Sequence, residues 1–188
     1  MKSPLLLLLL LVLTSWSSAA ETPLAVIPEK SHVKYDVAVP TKSFSGTLET
    51  FDLQLFGDPK TTAKITRAEL RFRFADLHSG NTKRDQDMRN WQNTDQFPDV
   101  VFTVTALKAL NTKNGFTGRG QLVFHGVTRE IAFPVSILIQ SDGTYIMDGE
   151  ALVDTRDFDL PVIRKYMALK VDPVVNVRFH IEARPASQ

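Results

Sequence analysis

Ala68, Leu70, Phe72 and Phe74 alternate without a break with Arg67, Glu69, Arg71 and Arg73 inside the run from Ala63 to Phe74. A repeat of two puts successive side chains on opposite faces of an extended backbone, so this segment can bury one face only as a strand. The pattern returns along the chain. His32 to Val39 sets Val33, Tyr35, Val37 and Val39 on one face, and Phe44 to Phe56 follows Pro40, with Leu53 and Leu55 alternating late in the run. Val100 to Leu107, Phe116 to Phe124, Thr128 to Ile139, Thr144 to Val153 and Val174 to Ala183 complete a set of eight predicted strands. Asn111-Thr112-Lys113-Asn114-Gly115, Ser141-Asp142-Gly143 and His125-Gly126 are short links of turn-forming residues, and such links join antiparallel neighbours.

Two stretches lack the alternation. Asn81 can cap a short helix through Thr82 to Arg89, and Leu160 to Leu169, where Pro161 fixes a helix-compatible backbone angle, is predicted to form a second short helix. Eight mostly antiparallel strands in one domain leave a closed barrel or a two-sheet sandwich. The length of the strands suits a tall closed sheet, and an eight-stranded barrel can hold one small ligand.

The N-terminus predicts export. Met1-Lys2-Ser3-Pro4 carries a positive charge, Leu5 to Leu13 is an unbroken apolar run, and Ser18-Ala19-Ala20 offers small residues before Glu21. That order is a secretory signal, and the run is far shorter than the ~20 residues that span a bilayer. Cleavage after Ala20 leaves one domain over residues 21–188, expected in the bacterial periplasm. The absence of cysteine excludes disulfides, thiolate metal sites and thiol nucleophiles, so the domain depends on its core. With 22 basic and 21 acidic residues the chain lacks the basic footprint that nucleic acid selects.

The presumed inner faces collect Phe72, Phe74, Phe102, Phe116, Leu122, Phe124, Phe133, Val135, Ile137, Met147, Val177 and Phe179. Either these residues fill the barrel or they line an apolar hole. Gly118, Gly120, Gly149 and Ala151 share faces with larger residues and leave volume that their neighbours fill or do not. A long apolar molecule in such a hole would gain ~0.8 kcal/mol for each methylene buried, which makes a lipid tail the natural occupant.

Catalytic and metal signals are weak. His32, His78, His125 and His180 lie in separate segments with no metal-ligand spacing, no Gly-x-Ser-x-Gly elbow occurs, and Asp85 with Asp87 or Asp157 with Asp159 read as solvated carboxylates. Neither a metal nor a cofactor is expected. Arg84 with Asp85 and Arg156 with Asp157 are the charged pairs of interest, either fixing an insertion to the barrel rim or offering Arg84 or Arg156 to a polar lipid head.

Phe44-Ser45-Gly46 leading to Phe51, Arg84-Asp85 followed by Met88, and Phe97-Pro98 leading to Phe102 are followed by three further motifs. These are Gly118-Arg119-Gly120-Gln121-Leu122, Gly126-Val127-Thr128-Arg129 and Arg156-Asp157-Phe158. In this order, across almost all of the mature chain, they resemble the YceI-like family of periplasmic lipid-binding proteins. The resemblance implies an all-β, lipocalin-like antiparallel barrel whose interior accepts a polyisoprenoid or an isoprenoid quinone without catalysis. Ser31-His32 departs from the His-Ser of many members, and Trp91-Gln92-Asn93-Thr94-Asp95 stands where Phe-Phe-Asp often occurs.

The leading expectation is therefore a non-catalytic periplasmic carrier of an isoprenoid-like lipid or quinone. The competing expectation is a solidly packed barrel whose insertions, around Arg84 or Tyr166, contact a membrane-associated partner. An enzyme using His78 and His125 is a third reading, and edge pairing allows a homodimer.

Overall fold

The computed structural model describes residues 21–40, 42–58, 65–165 and 169–186. The predicted signal segment and Tyr166 lie outside the described residues. The first half of the sheet contains β1 (Thr22–Val26), β2 (His32–Val37), β3 (Phe44–Leu48), β4 (Asp52–Gly57), β5 (Ile65–Arg73) and β6 (Leu77–His78). After helix α1 (Thr82–Gln92) come β7 (Asp99–Ala109), β8 (Gly115–Phe124), β9 (Val127–Ile139) and β10 (Tyr145–Asp154). A small hairpin of β11 (Arg164–Lys165) and β12 (Leu169–Lys170) precedes the last long strand, β13 (Val174–Pro185).

All pairings are antiparallel, and the order β1-β4-β5-β7-β8-β9-β10-β13 returns to β1. These eight strands make a closed barrel. The pieces β2, β3 and β6 extend β1, β4 and β5 past local kinks, with β2 running along β13 and pairing β3, and β3 pairing β6. The first three predicted strands thus each belong to a longer strand that bends once. Phe44 to Phe56 breaks at residues 49–51, and Ala63 to Phe74 ends at Arg73, where Phe74–Asp76 forms a 3-10 turn.

Proline explains one kink. Pro28 has no N–H to give the ladder and opens the 3-10 turn Pro28–Lys30, while Ser31 repairs the gap: its hydroxyl donates to the Ile27 carbonyl at 2.8 Å and accepts from the Glu182 N–H at 3.1 Å. The other two kinks lie side by side, tied by the Glu49 N–H to the Asp76 carbonyl at 3.2 Å. β1 lies outside the predicted strands because it is five residues long, contains Pro23 and directly follows the segment predicted to be an export signal.

Turns formed as predicted at His125-Gly126, where φ is 49° and 73° at the two linking residues, the paired positive values of a tight two-residue hairpin. Asn81 caps α1, accepting from the Arg84 N–H at 2.9 Å. The second predicted helix is corrected: within Leu160 to Leu169 no helical turn forms among the described residues, and Arg164 and Lys165 pair with Lys170 and Leu169 instead. Two β-branched neighbours, Val162 and Ile163, disfavour helix there, and the segment's carbonyls are taken laterally. Trp91 donates to Pro161 at 2.8 Å, and the Val171 N–H to Ile163 at 3.0 Å.

The apolar interior divides in two. A floor cluster at the end where β1 begins and β13 finishes includes Leu24, Leu55, Ile137, Tyr145, Ile181 and Ala183. A cap cluster at the other end gathers Phe74, Val100, Leu122, Phe124, Phe158 and Leu160, with Met88 and Trp91 of α1 packed against it.

Candidate ligand cavity

Between floor and cap the barrel encloses a cavity of about 850 Å³ that runs from Leu55, Ile65, Ile137 and Ile181 up to Phe44, Arg84 and Trp91. Of the twelve residues predicted for the inner face, all but Phe116 line it. Phe116 stands at the hairpin end of β8, opposite Val135, and packs against the floor cluster instead. The open volume overturns the expectation of a solidly packed barrel.

Glycines explain why so many aromatics leave room. Gly118 pairs with Phe133 across β8 and β9, and Gly149 pairs with Phe179 across β10 and β13. A Cβ at Gly118 would collide with the Phe133 ring, one at Gly120 with Phe102 and one at Gly149 with Phe179. Each ring lies flat on a bare stretch of wall, so it projects its thickness rather than its length into the lumen. Phe133 then meets Phe102 at 5.6 Å and Phe179 at 6.1 Å edge to face, contacts worth about 0.5–1.5 kcal/mol each that hold the rings down.

The mouth is built by the β2–β3 turn, α1 and the segment around β11 and β12, which supply Val39, Lys42, Asp87, Met88, Arg164 and Asp172 to the lining. The Asp172 N–H binds the Ala38 carbonyl at 3.0 Å and joins two of these elements. α1 is held largely by polar contacts. Asp85 is buried and accepts from the Ser79 hydroxyl and, at 3.0 Å, from the Ser79 N–H. Gln92, fully buried, donates to the Phe97 carbonyl at 2.8 Å and accepts from the Thr94 hydroxyl at 2.9 Å.

Arg84 lines the cavity, its guanidinium 4.1 Å above the Phe44 ring and hydrogen-bonded to the Ser79 hydroxyl and carbonyl, both at 2.8 Å. Ser79 therefore bridges Arg84 and Asp85 and clamps the helix start to β6. Arg156 differs: it pairs with Asp154 rather than Asp157, is half exposed and does not line the cavity. That ion pair raises the Arg156 pKa and holds Asp154 below the ordinary carboxylate value of 3.8.

Tyr35, one of the alternating inward residues of β2, brings a hydroxyl into an apolar lumen. Its side chain is 5% exposed, covers Gly46, and its hydroxyl donates to the Met88 sulfur at 3.9 Å. Burial, reinforced by the Asp85 carboxylate against the opposing pull of Arg84, pushes its pKa up to about 12. The signal available in the sequence was a lone hydroxyl on an otherwise apolar face of alternating residues.

The histidines have separate partners. His78 lies 3.7 Å from Glu49 and 4.0 Å from Asp85; His125 binds the Phe158 carbonyl at 3.0 Å; His32 stacks on His180, which pairs with Asp148 at 2.7 Å. Among the described residues no group of three metal-ligating side chains gathers, and no helix is long and apolar enough to cross a membrane.

A family model described as a YceI-like domain matches residues 24–183. Among solved structures, that of Burkholderia cenocepacia BcnA superimposes with a TM-score of 0.72 at 19% identity, covering 84% of this chain and 98% of that one. A polyisoprenoid binding domain from Saccharophagus degradans, implicated in plant cell wall breakdown, gives a TM-score of 0.68 at 15% identity, covering 88% and 99%. The Campylobacter jejuni YCEI protein gives 0.63 at 17%, covering 76% and 85%. At these identities the likeness is one of fold. No curated protein matches the chain.

Proposed function

This chain belongs to the YceI-like family, and from that premise we propose that it is a non-catalytic, exported periplasmic protein that carries or sequesters an isoprenoid-like amphiphile in its barrel. One observation carries the reading: a volume of about 850 Å³ inside the barrel, walled by apolar side chains from below its charged rim down to the floor. That volume lies in the ~300–1,000 Å³ range of small-molecule sites. Water held against such walls lacks the two to four polar partners it needs, so hydrocarbon displaces it at a gain of ~0.8 kcal/mol per methylene.

Shape fits a chain-like occupant. The flat rings of Phe102, Phe133 and Phe179 leave a lumen along the barrel axis rather than a pocket in one wall, and the fold is shared with a protein described as a polyisoprenoid binding domain. The tail lies among Phe72, Phe102, Phe133, Ile137, Met147 and Phe179, and the polar end sits at the mouth beside Arg84. Residues 1–20 are the cleaved signal, and residues 21–188 are the binding domain.

Native mass spectrometry of the protein purified from its host, followed by organic extraction, tests this reading. A stoichiometric isoprenoid lipid or quinone is the expected result. A protein that emerges empty and takes up no added polyisoprenoid would overturn it.

A further inference from the structure

The polar groups that line the cavity are nearly all committed or outside. The Thr155 hydroxyl donates to Pro173 at 3.1 Å, Asp172 accepts from the Val174 N–H at 2.9 Å, and Arg84 is bound to Ser79. Lys42, Asp87 and Arg164 are exposed at the rim. Among the described residues, Tyr35 alone sets a polar atom within the apolar lumen with no partner better than a thioether, which is a weak acceptor. A buried hydroxyl left with such a partner gains from a carbonyl oxygen delivered to it.

The charge around the mouth adds a second constraint. Lys42, Arg84 and Arg164 line the mouth together with Asp87 and Asp172, and the buried Asp85 carboxylate lies behind the lining on Ser79, so the positive side chains at this end are largely offset. At Tyr35 the Asp85 carboxylate outweighs the opposing Arg84 guanidinium, so a phosphate brought to that depth would meet net repulsion.

Building on the carrier reading above, we propose that Tyr35 is a specificity-determining residue that donates a hydrogen bond to an uncharged oxygen acceptor on the cargo's head. The barrel thereby favours a neutral-headed isoprenoid lipid, such as one ending in a ring carbonyl, over the phosphate of the same tail. The head displaces Met88 as the partner of the hydroxyl, one strand layer below the Arg84–Phe44 stack at the rim. With its pKa near 12, Tyr35 stays a neutral donor at every pH in which the protein works.

The test compares three probes of matched tail length on the delipidated protein: a polyprenyl quinone, a polyprenyl phosphate and the bare hydrocarbon. Wild-type protein should bind the quinone tightest. Tyr35→Phe keeps the ring over Gly46 and should weaken quinone binding roughly three- to tenfold, the span of one hydrogen bond, while leaving hydrocarbon binding unchanged. The infrared carbonyl stretch of bound quinone should fall in wild type and return towards its free position in the variant. Unchanged quinone affinity and carbonyl stretch in Tyr35→Phe, or a phosphate that binds tighter than the quinone, would overturn the proposal while leaving the carrier reading intact. Failure of all three probes to bind would overturn both.

Discussion

The two ends of the barrel are held together by different physics. At the floor, Leu24, Leu55, Ile137, Tyr145, Ile181 and Ala183 come from five strands of the ring and pack side chain to side chain, with Ala183 fully buried and Ile137 nearly so. At the cap, the central residue is Phe158, also fully buried but carried on a 3-10 turn, and the covering helix buries Asp85 and Gln92 rather than an apolar stripe. Hydrophobic burial is non-directional and closes the floor as a unit, whereas a buried polar contact is made or lost as a whole. The floor therefore belongs to global stability, and the cap is the end able to open locally for a ligand.

The largest effect that would break this contrast is at Phe158. Replacing it with alanine should cost about 3–5 kcal/mol by denaturant unfolding, as for other buried aromatics, and should speed amide exchange in α1 before that in β9 and β13. Equal protection loss at both ends would mean that cap and floor unfold as one. Gly118→Val should force the Phe133 ring off the wall and into the lumen, costing roughly 1–3 kcal/mol and lowering lipid uptake in a protein that still folds. Uptake equal to wild type would remove the glycine–aromatic pairs from the account.

Gln92→Ala takes the side-chain donor away from the Phe97 carbonyl, while the Thr94 hydroxyl keeps the Arg89 carbonyl as its acceptor. It should cost roughly 1–2 kcal/mol, with faster ligand exchange measured by stopped flow and little change in the exchange of floor amides. The smallest effect is with pH. Asp36, held down first by the Ser45 hydroxyl and then by Arg178, and Asp154, held down by Arg156, both have pKa values below 3.8 when folded. Their contribution is complete above the unfolded value and is lost as pH falls through the folded ones. Denaturant midpoints should thus drop in the acid range, and Asp154→Asn should flatten part of that drop.

The same division decides what the sequence revealed. Alternation in Phe72, Phe133 or Ile137 needs only period two to assign its face, so the wall, the hairpins and all but one of the predicted inner residues were legible. Phe116 has the right parity but sits at a hairpin end, a height that parity does not encode. The cap was harder because its links are tertiary. Nothing local in Trp91 or Pro161 announces their hydrogen bond, and the hairpin of β11 and β12 replaces the helix that Pro161 suggested. Arg156 chose Asp154 over the adjacent Asp157 because residues 155–158 turn in a 3-10 helix after Asp154. Whether the aromatics filled the barrel or lined it depended on the cross-strand register that sets Phe133 over Gly118 and Phe179 over Gly149.

The most direct measurement is a crystal structure of the protein isolated with its host lipid. Density continuous from Tyr35 and Phe44 at the mouth, past Phe102 and Phe133, to Ile137 at the floor is the result this account predicts. A lumen closed by those aromatic rings, with lipid absent or bound on the outer wall, would contradict it.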